Sequence, residues 1–399
     1  MSPTMQNAAA LPAGAKWIGR NITSIEATAV LFVGTVGILI AGLQPLLLGA
    51  LAQEARLTAV QLGQAATAEL LMIGISVGVA GAVLRPVKLR WWAIGASLAL
   101  ALIDAITGGE TGYAIVANRA AAGVAEGVML WIPVSMIARS VTPDRWSGIF
   151  LTVQTLAQLG LSALLPMTVM IHYGATGGFM AMAAAAVLSA LVGLAVPASF
   201  EALPKHPQGE AGLGAASPRA LAVLASVFLY MAFIVGLWAY FEPLSAQAHH
   251  PADVYGIAVS VSLGGQVAGG FVATLVAGRV PYFPIVIGCT LVDFIVLGVL
   301  ATMPGPVVFI GLAAVFGFFW LFLMPFQVPL AVEADPTRKA AVLLSGAQLL
   351  GASTGPFLCS FAVNNHDVRG ALAVCAGSLA LGFAVVVWLH WHTQGRKRT

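Results

Sequence analysis

Apolar stretches of about 20 residues, separated by short polar turns, recur along the whole of this 399-residue chain. A helix of that length crosses the ~30 Å hydrocarbon core of a bilayer. Inside hydrocarbon each backbone N–H and C=O must be satisfied within the protein, which leaves helices or closed barrels. Runs this long and continuously apolar are helical, so an all-α membrane protein is expected. Composition agrees: 59% of residues are hydrophobic and 8% charged, against ~25% charged in soluble domains. Twelve spans are expected, near 25–49, 60–84, 91–107, 113–138, 147–171, 179–199, 220–242, 254–277, 283–302, 306–330, 341–363 and 371–391. Residues 1–24 are polar and basic and do not read as a cleavable leader.

The placement of basic residues predicts orientation. One set of alternate loops holds Lys16, Arg20, Arg85, Lys88, Arg90, Arg139, Arg145, Lys205, Arg219, Arg279, Arg338, Lys339, Arg396, Lys397 and Arg398, while the other holds Arg56 and Arg369. Fifteen against two predicts cytoplasmic N- and C-termini and an even number of spans. The basic balance thus reflects topology, and no nucleic-acid partner is expected.

The longest polar stretch, 200–219, divides the chain into a 25–199 half and a 220–391 half, flanked by a 1–24 segment and a basic 392–399 tail. The halves share features at an offset of 193. Gly63 to Pro86 corresponds to Gly256 to Arg279, and Pro143-Asp144-Arg145 to Pro336-Thr337-Arg338. Parallel repeats of this kind build one large class of transporters, with the substrate site between the halves.

Arg119 lies well inside the fourth apolar segment, with Glu126 two turns on along nearly the same face. A cation in hydrocarbon costs several kcal/mol, so it is kept where it meets protein, water or a ligand. Gly123 and Gly127 form a small-residue face there, suited to close helix approach. Structurally, Arg119 and Glu126 would simply pair with neighbouring helices; functionally, Arg119 would bind an anionic group or couple to a protonatable acid.

These motifs resemble the major facilitator superfamily over essentially the full length. Gly81-Ala-Val-Leu-Arg85-Pro-Val-Lys88-Leu-Arg90 is similar to its cytoplasmic turn after the second span, lacking the acidic member and second glycine. Arg119-Ala-Ala-Ala-Gly123-Val-Ala-Glu126-Gly127 resembles its fourth-span Arg-x-x-x-Gly pattern, with an ending similar to the organic-anion:proton symporter branch. The fifth-span Gly-Pro motif of antiporters is absent; a similar string, Gly351 to Pro356, stands in the eleventh span. The resemblance implies two pseudo-symmetric six-helix halves and a small-molecule substrate. By the same resemblance Arg85, Lys88, Arg90, Arg145 and Arg338 are gate candidates.

Four acids fall within spans: Glu69, Asp104, Glu126 and Asp293. Ionised together with Arg119 they would leave a buried charge of −3, so at least one is expected to hold its proton near neutral pH. Glu126 ranks first as proton carrier, then Glu69 and Asp293. Asp104 ranks last because it sits near an outer end where water could reach it. Gln44 beside Pro45 offers an amide and a freed carbonyl to the cavity or marks a packing kink. Gln266, Trp320, Gln327 and Gln348 are further substrate-binding candidates. Trp238 and Tyr240 suit either a substrate wall or, preferably, the interfacial aromatic belt, and Glu242 an interfacial or gate position. Cys289, Cys359 and Cys375 read as small core residues.

No phosphate-binding loop, zinc spacing or nucleophile–base pair appears, so no enzyme, metal or cofactor is expected. The reading is a monomeric, multi-pass inner-membrane transporter in a lipid bilayer, moving a small organic solute, preferably an anion, with protons. The alternatives are a multidrug or metabolite efflux antiporter, and a non-transporting sensor on the same fold.

Overall fold

A computed structural model describes residues 17, 21–140, 143–201, 217–251, 253–276, 279–334 and 339–397. The expected linker centre, Arg338 and most of the N-terminal segment lie outside the described residues. The helices are α1 (Ser24–Val36), α2 (Leu39–Gln53), α3 (Ala59–Val83), α4 (Leu89–Thr107), α5 (Tyr113–Ile137), α6 (Pro143–Met167), α7 (Met170–Val192), α8 (Pro218–Ala239), α9 (Phe241–Gln247), α10 (Val254–Val276), α11 (Tyr282–Ala301), α12 (Pro306–Leu323), α13 (Gln327–Ala334), α14 (Lys339–Ser360) and α15 (Arg369–Lys397).

Eleven stretches among the described residues are long and apolar enough to cross a membrane, where twelve were expected. The twelfth candidate coincides with α14, a helix of 22 residues, part of which lies outside the residues whose side chains are described. The first span is two helices, α1 and α2, which meet at Gly37-Ile38. The tenth is likewise divided, with a 3-10 turn at Met324–Phe326 between α12 and α13. Two starts carry capping boxes. Thr23 with Glu26 opens α1, and Thr58 with Gln61 opens α3, each pair satisfying orphan N–H groups reciprocally.

Small residues set the spacing within each half. A Cβ at Gly127 would sit 2.5 Å from Ser76 Cβ, and one at Gly123 would collide with the Glu69 carbonyl oxygen, so α5 lies directly on α3. Gly265 and Gly269 place α10 against the Ala314 and Phe318 carbonyls of α12, and Gly351 and Gly355 bring α14 onto α8. Without a hydrophobic force between helices in lipid, such close backbone approach supplies the packing energy. Ser97 and Ser189 hydroxyls, 3.0 Å apart and buried, join α4 to α7.

The halves meet most closely at the end bearing Arg56 and Arg369. The Tyr240 hydroxyl donates to the Ala59 carbonyl at 3.0 Å, Ala59 N–H donates to Asn365 Oδ1 at 3.2 Å, and Ser162 and Ser260 hydroxyls lie 3.0 Å apart. Gly63 and Gly256, one repeat offset apart, both belong to this seam. A Cβ at Gly63 would lie 2.7 Å from the Pro356 carbonyl oxygen, and one at Gly256 3.6 Å from Pro166 Cγ. The second long helix of each half therefore leans on a proline of the other half.

Candidate functional site

Arg119 is the hub of a buried network inside the first half. Its Nη1 donates to Glu69 Oε1 at 2.9 Å, and its Nη2 donates to Asp104 Oδ1 at 2.7 Å and to Thr107 Oγ1 at 3.0 Å. Arg119, Glu69 and Asp104 are 1%, 0% and 2% exposed. Thr107 gives its own hydroxyl proton to the Ile103 carbonyl at 2.7 Å, which leaves its lone pairs facing the guanidinium. The guanidinium carbon sits 4.9 Å from the centre of the Phe179 ring on α7, an added cation–π contact. Gln44 Nε2 donates to Glu69 Oε2 at 3.4 Å and to the Ala66 carbonyl at 3.4 Å. Helices α2, α3, α4, α5 and α7 thus converge on one cation.

Asp104 is buried and ion-paired, which corrects the hydrated position expected from its nearness to a helix end. Packing of α4 against α5 and α7 closes that end over it. Glu126 takes no share of these bonds: its Oε2 is buried without a hydrogen-bond partner, and so is Arg119 Nε. Counting Arg119, Glu69, Asp104 and Glu126 as ionised gives 1 − 3 = −2 within a few turns of helix. Buried charge at that imbalance is costly unless a proton or a cation joins it.

The other candidates occupy separate places. Asp293 on α11 is fully buried, with both carboxylate oxygens unpartnered. Gln348 Nε2 donates to Gln327 Oε1 at 2.8 Å. Gln327 lines a small cavity of about 30 Å³ within the second half, together with Ser226, Tyr230, Thr290 and Leu379. Gln266 is buried with an unpartnered Nε2. Trp320 is partly buried and edge-on to Trp238, with ring centres 5.6 Å apart. At the basic end Arg85, Lys88, Arg90 and Arg145 are exposed. Arg90 Nε donates to the Val196 carbonyl at 2.6 Å, which ties that turn to the segment after α7.

Two readings of the seventh span are corrected. Trp238 and Tyr240 are fully buried and so are not belt residues. The span ends at Ala239, and the chain turns into α9 between the halves, where α2 and α3 cover both rings. Thr107 and Phe179 are members of the Arg119 network that the sequence did not single out. Thr107 lies three residues after Asp104, on its face, which was a usable signal; Phe179 carried none.

Glu242 stands beyond the end of its span, on α9. It is buried against α2, where a Cβ at Gly49 would lie 2.5 Å from Glu242 Cβ. Its carboxyl bonds the Gln53 side chain, and Tyr255 lies within electrostatic reach of both Glu242 and Glu54. Burial pushes the Glu242 carboxyl up to about 8. A hydrated carboxyl at a parted seam titrates near ~4.3, so closure takes up a proton. The closed seam is favoured at low pH and loses that advantage as pH rises from about 4.3 through 8. Spin labels on the two halves at this end should report more open protein at pH 8.5 than at pH 5. In Glu242→Gln the distances should barely change with pH; the same pH response in that variant would remove Glu242 from the seam.

Together these features define a multi-pass helical membrane protein whose halves close at one end, with an ion cluster buried in the first half. No protein-family model and no curated protein match the chain. Solved structures do. A bacterial homologue of the human lysosomal transporter Spinster, in an inward-facing and unoccupied conformation, is 14% identical over 94% of this chain and 96% of that one, with a TM-score of 0.59. The nucleoside transporter NupG is 12% identical over 92% of this chain and 99% of its own, with a TM-score of 0.66. A variant of NupG reaches 0.72 at 12% identity, covering 91% of this chain and 98% of that one. The likeness at these identities is one of fold, and the chain shares the architecture of these transporters.

Proposed function

We propose that the chain is a proton-coupled secondary transporter of a small organic solute, with the major facilitator arrangement of two six-helix halves. Lys339–Ser360 serves as the twelfth span, both termini lie in the cytoplasm, and the protein acts as a monomer in the inner membrane. The observation that carries this reading is Arg119, wholly buried between Glu69 and Asp104 while Glu126 Oε2 has no partner. A cluster two charges short of neutral takes up protons, and its proton occupancy alters what Arg119 can bind. With the basic loops inside, the end closed in this structure faces out, and the solute enters or leaves from the cytoplasmic side. Arg85, Lys88, Arg90, Arg145 and Arg338 then flank the gate that closes in the opposite state.

The preferred substrate is an organic anion. Both Arg119 amino groups are occupied by carboxylates, so an anion reaches Arg119 when a proton neutralises Glu69 or Asp104. Proton and anion then bind together, which is the requirement of symport. The second reading is efflux antiport of a cationic or neutral solute, favoured by the same excess of negative charge and by the aromatic wall of Trp238 and Trp320. A thermal-shift screen of the purified protein against organic acids, sugars, nucleosides and cationic drugs, at pH 5.5 and 8, separates them. Symport predicts organic-acid stabilisation that is stronger at pH 5.5. Stabilisation by cationic drugs that is stronger at pH 8 would overturn symport in favour of antiport.

A further inference from the structure

Pro45 has no N–H, so the carbonyl four residues earlier, that of Ala41, loses its helical partner. That carbonyl accepts from Trp238 Nε1 at 3.1 Å, across the boundary between the halves. Trp238 is 0% exposed, and a buried indole N–H must be spent on an acceptor. The ring is held edge-on by Phe241 at 5.8 Å and by Trp320 at 5.6 Å. The proline thus creates an acceptor on the first half, and the second half presents a rigid donor to it.

We infer that Trp238 is a positioning residue for transport, latching the halves at the Arg56/Arg369 end through the carbonyl that Pro45 frees. The latch has to break each time this end opens and re-form each time it closes, and it uses no titrating group. The inference rests on the transporter reading above, in which the two ends of the protein open in turn by alternating access. The neighbouring Tyr240–Ala59 bond lies nearer the mouth of the same seam, and Trp238 secures it at greater depth.

The test uses Ser162→Cys as reporter. Ser162 is buried at the α6–α10 seam, where its hydroxyl meets that of Ser260, and native Cys289, Cys359 and Cys375 are all buried. Labelling by a membrane-impermeant maleimide measures how often the seam opens. Trp238→Phe keeps the ring contacts and removes the N–H, and one such bond is worth about a fivefold rise in labelling. Pro45→Ala restores an in-helix donor for Ala41 and should raise labelling by a smaller factor. In the Pro45→Ala background, Trp238→Phe should add less than twofold, because the two changes act on one bond.

Wild-type labelling in Trp238→Phe, or a fivefold rise that ignores Pro45, would overturn the latch. If Trp238→Phe cannot be recovered from membranes, unchanged labelling in Pro45→Ala would overturn it equally. A second reporter, Leu349→Cys, opposite Gly74 on α3 and 44% exposed, tests the parent reading. Its labelling should fall as that of Ser162→Cys rises. A Ser162→Cys response with Leu349→Cys unmoved would keep the latch and refute alternating access.

Discussion

Arg119→Ala is expected to abolish proton-driven flux and to lower the unfolding free energy by about 3–5 kcal/mol, the range found when one partner of a buried ion pair is removed. The size follows from what remains. Glu69 and Asp104 would face each other in the space left by the guanidinium, with no other basic side chain bonded to either among the described residues. Thr107 and Gln44 could satisfy part of their hydrogen bonding but none of their charge. The triple change Glu69→Gln, Asp104→Asn, Arg119→Ala removes the stranded charges together, so it should recover much of the thermal stability while flux stays absent. Thermal unfolding in detergent, beside flux in proteoliposomes, reads both parts. Full flux in Arg119→Ala would remove the residue from coupling and from substrate binding.

Gly123→Val is expected to cut flux more than tenfold without changing a charge. A β-carbon at 123 would collide with the Glu69 carbonyl oxygen and lie 2.9 Å from Met72 Cβ and 3.1 Å from Ile73 N. The clash is with backbone, so α3 has to move away from α5 and carry Glu69 off Arg119. Overpacking of this kind typically costs ~1–3 kcal/mol. Gly78→Val is the matched control, since a β-carbon there meets nothing within 4 Å. Helix content by circular dichroism should be alike in both, while flux and melting temperature fall in Gly123→Val. Equal flux in the two variants would show that the α3–α5 spacing does not govern the site.

The helical membrane fold could be read from the chain because a single property, apolar length, decides it. The break at Gly37-Ile38 was not legible, because it interrupts the first span without a polar run to announce it. The glycine face at 123 and 127 was legible, since small residues four apart permit close helix approach. The importance of Arg119 was legible too, but its partners were not. Glu126 shares its helical face at a rise of about 10.5 Å, seven residues at 1.5 Å each. The partners in the structure come from α3 and α4, and which helices face α5 is a property of tertiary packing.

Asp104, Trp238 and Tyr240 were misplaced for a common reason. A residue near a helix end looks hydrated or interfacial in one dimension. Here α7 covers the first, and the seam between the halves covers the other two. Pro45 was expected either to offer its freed carbonyl to the cavity or to mark a packing kink; in the structure that carbonyl accepts from Trp238.

The most direct measurement is solute accumulation in proteoliposomes under an imposed pH gradient, using the solute that most stabilises the protein. Internal pH is followed in the same vesicles. Accumulation above equilibrium that moves protons with the solute, collapses with a protonophore and vanishes in Arg119→Ala is the predicted result. Accumulation untouched by the protonophore, or equal in Arg119→Ala, would contradict a transporter coupled through this cluster.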